Sequence, residues 1–152
     1  MEVFDYDQVI THSTVFHSDD VFGVALCRLI DPEIEIIRTL DVEKQLEMSR
    51  NIGKNALVFD IGLGKYDHHQ PDKALRSDDT PYCGFGLLWR DFGYLLCPER
   101  EAWEKVDQTL VISIDKADNG MAQNLLSSTI KTMNPQWNSA VSESVAFGRA
   151  RS

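Results

Sequence analysis

An alternation of strand-like and helix-like segments constrains the fold of this chain more than any other feature. Short β-prone or apolar runs alternate with helical patterns in the order 7–12 (DQVITH), 19–31, 33–39 (EIEIIRT), 41–51 and 55–62 (NALVFDIG). Strands and helices that alternate over short links are typical of a parallel sheet. We therefore predict an α/β fold in which a parallel sheet is flanked by helices.

The second half of the chain predicts helices that follow a polar loop. Residues 71–84 (PDKALRSDDTPYCG) are rich in residues that interrupt regular elements, so we predict a loop there. Helical patterns are predicted for 85–96 and for 99–120, which ends on a glycine suited to a C-terminal cap. A turn is predicted at 134–137, and the remaining residues form a mildly amphipathic tail.

Length and composition fit one soluble domain. The chain has 152 residues, of which 43% are hydrophobic and 26% charged, and this length can bury a sizeable core. No apolar run approaches the roughly 18 to 20 residues of a membrane span, and the acidic N-terminus lacks the features of a signal peptide. Cys27, Cys83 and Cys97 are far apart and lack a metal-binding spacing, so we expect reduced thiols and a cytoplasmic protein.

The net charge of −9 limits how this protein can bind nucleic acid. Proteins that coat nucleic acid with their whole surface are usually basic, because neutralisation of phosphates drives that binding. Carboxylates that hold divalent cations would account for part of the negative charge, and the bound cations would reverse the local field. The charge therefore argues against a coat protein and is compatible with a metal-dependent phosphoester enzyme.

All four histidines lie in two short acidic segments. His12 and His17 belong to THSTVFHSDD, and the other two stand side by side in KYDHHQPD. His12 ends the first predicted strand and Asp60 ends the third. Ligands gather at the carboxyl ends of the strands in an open parallel sheet. We therefore expect these side chains to meet at one edge of the sheet.

The combination of imidazoles and carboxylates indicates divalent metal ions. One histidine beside an aspartate is usually a solvated or buried pair without a metal. Four histidines at predicted strand ends, each with acidic neighbours, favour a set of metal ligands. Mixed nitrogen and oxygen ligands suit manganese, zinc or iron better than calcium. Two such ions roughly 3.5 to 4 Å apart would clamp the oxygens of an in-line displacement at phosphorus.

Five motifs and one later segment occur in an order known from a protein family. The motifs are THSTVFHSDDVFGVALCRL, VFDIG, YDHHQ, GFGLLWRDFG and IDKADNG, and the later segment is LLSSTIKTMNPQWNS. Over residues 9–139 the chain resembles the melanocyte-proliferating-gene family of predicted metal-dependent hydrolases. That family is similar to the DHH phosphoesterase superfamily, named for the triplet found here at 67–69. The resemblance implies a Rossmann-like, DHH-phosphoesterase-like domain.

The resemblance also implies roles for the acidic and imidazole residues. His12, His17 and Asp19 would be metal ligands of the first motif, with His17 standing where many DHH enzymes have an aspartate. Asp60 would bridge two metal ions, as an anionic group between two cations can. His68 would be a further ligand. Two divalent ions are implied, with Mn²⁺ the first choice and Mg²⁺, Zn²⁺ or Fe²⁺ as alternatives.

In the DHH triplet, the resemblance implies that Asp67 orients His68, since a carboxylate is a common partner of metal-bound imidazole. His69 would face the scissile phosphate. The last motif offers two carboxylates, Asp115 and Asp118, which are three residues apart and share a helix face. Asp118 is favoured because DNG resembles the Asp-x-Gly ending of that motif in relatives.

The activity that the resemblance implies is hydrolysis of phosphoester bonds by water activated by two metal ions. The substrate would be a nucleic acid or nucleotide, cleaved from the ends in the manner of a 3′–5′ exonuclease. One alternative is a small-molecule phosphohydrolase for pyrophosphate, a short oligonucleotide or a cyclic dinucleotide. Another is a metal-binding interaction module without turnover. Relatives run on into a second domain, whereas we expect residues 1–152 to form one catalytic domain, with homo-oligomerisation as one means of supporting it.

Overall fold

The described part of the chain forms a three-stranded parallel sheet with helices packed around it. The computed structural model describes residues 2–134. Its strands are β1 (Gln8–His12), β2 (Glu35–Thr39) and β3 (Ala56–Val58), and their order across the sheet is β2-β1-β3. Both pairings are parallel. The predicted α/β fold with a parallel sheet flanked by helices is therefore confirmed.

The strand order creates a crevice at the carboxyl ends of β1 and β3. Helix α1 (Ser18–Ile30) links β1 to β2, and helix α2 (Val42–Asn51) links β2 to β3 on the other side of β1. Crossovers of parallel strands are right-handed, so the reversal of direction places the two helices on opposite faces of the sheet. Ligand sites of open α/β sheets lie at such a reversal point.

The core is formed by the sheet and the helices that cover it. Val9 and Ile10 of the central strand are fully buried, as is Phe59, which directly follows β3. Gly23 of α1 lies against the Phe59 ring so closely that a Cβ atom at this position would be 2.3 Å from it. The glycine therefore lets α1 approach the sheet near the end of β3.

The second half of the described chain is helical. Its elements are α3 (Gly84–Phe92), a 3₁₀ turn (Gly93–Leu95), α4 (Arg100–Val106), a π-helical segment (Asp107–Val111), α5 (Ile112–Asp118) and α6 (Leu125–Thr132). The predicted helix at 85–96 is thus shorter, and α6 was not predicted as a separate helix. The predicted loop at 71–84 contains an isolated bridge between Leu75 and Pro81, and its last residue, Gly84, is the first residue of α3.

The helix predicted at 99–120 is continuous but contains the π-helical segment Asp107–Val111. A π-turn adds one residue to the helical repeat. Asp115 follows Asp107 by eight positions, which therefore behave like about seven, or two helical turns, and both carboxylates face the same way. Arg76 from the 71–84 loop binds both of them, at 2.7 Å and 2.6 Å.

The strand predicted at 55–62 ends early because the chain turns after Phe59. Asp60 and Leu63 have φ angles of 58° and 57°, which is the left-handed region and cannot continue a strand. Within residues 2–134, no helix combines the length and apolarity that crossing a membrane requires. The predicted amphipathic tail, and the turn at 134–137 apart from its first residue, lie outside the described residues.

Candidate metal centre

The ends of β1 and β3 bring His12 and Asp60 into contact. The backbone N–H of Phe59 donates to the carbonyl of Ile10, which extends the pairing of the two strands to the edge of the sheet. Beyond it, Nε2 of His12 lies 2.9 Å from Oδ2 of Asp60. The left-handed backbone of Asp60 is held by its N–H bond to the carbonyl of Tyr66. Such backbone strain is concentrated at functional sites.

The first turn of α1 supplies two buried carboxylates, Asp19 and Asp20, that point toward different histidines. Oδ2 of Asp20 lies 3.2 Å from Nε2 of His12 and 3.9 Å from Nδ1 of His17, and it accepts the backbone N–H of His17. Arg38 of β2 binds its other oxygen at 3.1 Å. The three residues His12, His17 and Asp20, hereafter the His12 cluster, lie close enough together to hold a metal ion.

Asp19 points away from the His12 cluster toward the start of α3. Its carboxylate is fully buried and accepts the backbone N–H groups of Gly84 and Phe85, at 3.2 Å and 2.5 Å. Oδ2 of Asp19 lies 3.2 Å from Nε2 of His68. Burial raises the pKa of Asp19 to about 8, against the opposing effect of His68. A cation at this position would remove that cost of burying a carboxylate.

Nε2 of His68 faces three carboxylates. It lies 3.2 Å from Asp19, 3.1 Å from Asp60 and 2.9 Å from Asp118. None of these contacts has hydrogen-bond geometry, so neither Nε2 of His68 nor Oδ1 of Asp60 forms a hydrogen bond with a described residue. In the protein without metal, burial lowers the pKa of His68, but the three carboxylates outweigh it and raise that pKa to about 12. The group Asp19, His68 and Asp118 is hereafter the His68 cluster.

Asp60 touches both clusters. One of its oxygens is 2.9 Å from His12 and the other is 3.1 Å from His68. Burial opposes ionisation of Asp60, but the two imidazoles outweigh burial and lower the pKa of its carboxyl group. Burial likewise disfavours protonation of His12, whereas Asp20 and Asp60 raise its pKa to about 10. Nitrogen and oxygen atoms so arranged could hold divalent metal ions.

Asp67 is the nearest partner of His69, whose Nδ1 atom also lies 3.7 Å from Oδ1 of Asp60. Oδ1 of Asp67 lies 2.6 Å from Nδ1 of His69, and Oδ2 accepts the backbone N–H of Leu63 at 2.8 Å. The expectation that Asp67 orients His68 is therefore wrong in its geometry, since the turn at Leu63 directs this carboxylate to the neighbouring imidazole. The His69 side chain is 56% exposed and lines the cavity above both clusters.

The two carboxylates of the last motif have different surroundings. Asp118 contacts His68, whereas Asp115 is fully buried, binds Arg76 at 2.6 Å and accepts the backbone N–H of Cys83 at 2.9 Å. Burial raises the pKa of Asp115, although Cys83 and Arg76 oppose that rise. Asp115 therefore lies outside both clusters, and the geometry places only Asp118 of this pair in the centre.

Sequence reasoning missed Asp20 and Arg38. Asp20 is not among the predicted ligands, although it lies 3.2 Å from His12. The adjacent aspartates Asp19 and Asp20 could have indicated this role in the sequence, because neighbouring helical side chains point about 100° apart and can contact two different sites. Arg38 carried no signal in the sequence, since only the register of β2 beside β1 brings it to Asp20.

Comparison with known proteins places the chain in a family. Residues 8–151 match the family described as "Uncharacterised protein family (UPF0160)", whose model carries the name MYG1_exonuc. This chain belongs to that family. The MYG1 exonucleases of Bos taurus and Homo sapiens are 28% and 27% identical to it, over 84% of this chain and 42% of each relative. The resemblance found in the motifs is thereby confirmed.

A bacterial relative carries the same MYG1 name as the mammalian ones. The MYG1 protein of Chlamydia muridarum is 32% identical over 72% of this chain and 37% of its own length. The chain thus spans about two fifths of the length of the curated relatives it matches. No solved structure matches the chain significantly.

Proposed function

We propose that this chain is the metal-binding part of a divalent-metal-dependent phosphoester hydrolase that acts on nucleic-acid ends in the manner of a 3′–5′ exonuclease. The observation that carries the proposal is the placement of Asp60, which contacts the imidazoles of both His12 and His68. The printed name of the mammalian relatives, MYG1 exonuclease, supports this class of substrate.

Two ligand sets would hold the two ions. His12, Asp20 and Asp60 would hold one, with His17 at its edge, because Nδ1 of His17 is 3.9 Å from Asp20. The second ion would be held by Asp60 together with the His68 cluster. Mn²⁺ is our first choice for this mixture of nitrogen and oxygen ligands, and Zn²⁺, Fe²⁺ and Mg²⁺ are alternatives.

Two divalent ions in these positions would polarise a phosphoryl group and lower the pKa of a water molecule toward neutrality. The protein's own contribution beyond ligation is His69. With a proton on each ring nitrogen, His69 would donate from Nδ1 to Asp67 and from Nε2 to an oxygen of the scissile phosphate. Asp67 is itself held by the backbone N–H of Leu63, so the imidazole is oriented before substrate enters.

A small-molecule phosphohydrolase is a second candidate. The cavity above the clusters has a volume of about 730 Å³, which is within the usual range for small-molecule sites. The net charge of −9 also disfavours an extended grip on a long polyanion. Pyrophosphate, a short oligonucleotide and a cyclic dinucleotide are the substrates of this candidate.

A hydrolysis panel with Mn²⁺ and with EDTA separates these functions. The substrates are single-stranded RNA and DNA, a dinucleotide, pyrophosphate and a chromogenic phosphodiester. We expect Mn²⁺-dependent release of mononucleotides from the ends of the strands. Hydrolysis of the small compounds alone would favour the second candidate. A protein that binds Mn²⁺ but hydrolyses nothing would be a metal-binding interaction module, and the proposed activity would be refuted.

A further inference from the structure

We propose that the cavity over the metal centre binds the end of a single nucleic-acid strand, with Lys73 and Lys131 contacting backbone phosphates and Leu63 contacting a nucleoside. All three side chains line this cavity. The inference rests on the proposed function, because it specifies what enters the same site.

The charge balance of the metal centre makes a separate phosphate contact necessary. Asp19, Asp20, Asp60, Asp67 and Asp118 carry five negative charges when ionised, which Arg38 and two divalent cations would together neutralise. A centre neutralised in this way attracts the scissile phosphate by direct ligation but exerts little field on neighbouring phosphates. Within residues 2–134, Lys73 and Lys131 are the lysine or arginine side chains that line the cavity, so they would supply the missing attraction.

Lys73 is held beside the His68 cluster by hydrogen bonds. Its Nζ donates to Oδ1 of Asn119 at 3.1 Å. Asn119 follows the cluster residue Asp118, and its Nδ2 donates to the carbonyl of Asp115 at 2.8 Å. The ammonium group of Lys73 is therefore fixed to the C-terminal end of α5, next to a carboxylate that would hold a metal ion.

Lys131 reaches the cavity from a different element, the helix α6. This helix is attached to α1 by the hydrogen bond between Ser127 and Ser18, at 2.6 Å, and to α5 by the bond from Asn124 to Ser113, at 2.8 Å. Two lysines carried by separate elements thus face one cavity. Lysines carried by separate elements can contact different phosphates of one strand, whereas a single phosphate ion offers only one.

Leu63 adds an apolar surface to the same cavity. Its side chain is 64% exposed and its backbone is left-handed, with φ of 57°, which is an unfavourable conformation for leucine. Its N–H is held by Asp67, which also holds His69. An exposed apolar side chain tied to the residue that faces the scissile phosphate suits a substrate with a sugar and base, and pyrophosphate has neither.

The test measures binding of the 152-residue protein to a fluorescent single-stranded DNA oligonucleotide with phosphorothioate linkages that slow cleavage. Fluorescence anisotropy is recorded in Mn²⁺ at several salt concentrations for wild type, Lys73→Gln, Lys131→Gln and the double variant. Lys54→Gln is the matched control, because Lys54 is exposed and does not line the cavity. Leu63→Asn tests the apolar contact, since asparagine tolerates the left-handed backbone.

We expect each cavity lysine variant to reduce the slope of log K against log[salt] by about 0.7, the contribution of one phosphate contact in a single strand. The double variant should lose about twice as much, and Lys54→Gln should match wild type. Leu63→Asn should weaken binding without changing the slope. An unchanged slope in the double variant, an equal loss in Lys54→Gln, or no binding of the strand by wild type would overturn the inference.

Hydrolysis of the chromogenic phosphodiester distinguishes this inference from the function on which it rests. If wild type cleaves that compound but does not bind the strand, the hydrolase stands and the strand-binding inference fails. If the strand binds with the expected dependence on the two lysines and nothing is cleaved, the inference stands and the proposed hydrolase fails.

Discussion

Replacement of Asp60 by asparagine is the most direct test of the shared carboxylate. The substitution removes one negative charge and keeps the shape of the side chain. Asparagine also tolerates the left-handed φ of 58° at this position, so the backbone should be preserved. The variant should lose affinity for Mn²⁺ at both clusters, because the two oxygens of Asp60 face His12 and His68 at 2.9 Å and 3.1 Å.

The size of the loss follows from these distances. An ion bound by either imidazole would lie within about 4 Å of the Asp60 carboxylate, where two unit charges interact by about 4 kcal/mol at an effective dielectric constant of 20. The amide oxygen of asparagine retains part of the ligation, and the double charge of the ion adds to the loss. These two effects oppose each other, so we take about 4 kcal/mol as the net loss of binding free energy. Mn²⁺ should therefore bind about a thousandfold more weakly.

Thermal unfolding with and without Mn²⁺ reads out this change. At 100 times its Kd the ion stabilises wild type by about 2.7 kcal/mol, which raises the Tm of a chain of this size by roughly 5 to 10 °C. At the same concentration Asp60→Asn should gain only about 0.06 kcal/mol and show no measurable shift. Glu47→Gln, which removes an exposed carboxylate of α2, should behave like wild type. A Mn²⁺-dependent rise in the Tm of Asp60→Asn equal to that of wild type would refute the bridging role.

Four further substitutions test other parts of the site. His69→Ala should lower kcat while Mn²⁺ still binds, because this imidazole faces the cavity and its Nδ1 atom is held by Asp67. Asp118→Asn should weaken Mn²⁺ binding in calorimetry, whereas Asp115→Asn should lower the free energy of unfolding by about 3 kcal/mol by leaving the buried Arg76 with one carboxylate. Gly86→Ala should lower it by roughly 1 to 3 kcal/mol, measured in urea, because the added Cβ would be 2.1 Å from Asp115.

Each of these predictions has a control or an opposing result. His69→Ala that empties the site as fully as Asp60→Asn would make His69 a ligand. Equal Mn²⁺ affinities of Asp115→Asn and Asp118→Asn would contradict the placement of only one of them in the centre. Gly64→Ala is the control for Gly86→Ala, since a Cβ at Gly64 meets nothing within 4 Å, and equal losses of stability would contradict the packing argument.

The sequence predicted the features that depend on local pattern. Alternating strands and helices predicted the parallel sheet, and the rule that ligands gather at the carboxyl ends of strands predicted that His12 and Asp60 would meet. Their contact at 2.9 Å follows from the register of β1 and β3. The π-helical segment at Asp107–Val111 was not predictable from local pattern. It aligns two carboxylates with Arg76, and this contact joins residues that are 31 positions apart in the sequence.

The partners of individual side chains were harder to predict than their neighbourhood. Asp67 was expected at His68 and lies at His69, because the left-handed turn at Leu63 fixes its other oxygen. No pattern of hydrophobic residues encodes such a turn. The choice between Asp115 and Asp118 had the same difficulty, since both lie on one face of α5. Their partners distinguish them, because Asp115 binds the buried Arg76 and Asp118 contacts His68.

The neighbouring carboxylates Asp19 and Asp20 explain how one helix can serve two clusters. Consecutive helical side chains diverge by about 100°, so the first turn of α1 sends Asp19 toward His68 and Asp20 toward His12. Each carboxylate has fixed donors besides the imidazole. Asp19 accepts two N–H groups at the positive end of α3, and Asp20 binds Arg38. These donors stabilise closely spaced negative charges and orient them in advance, which is the role that partners of metal ligands usually have.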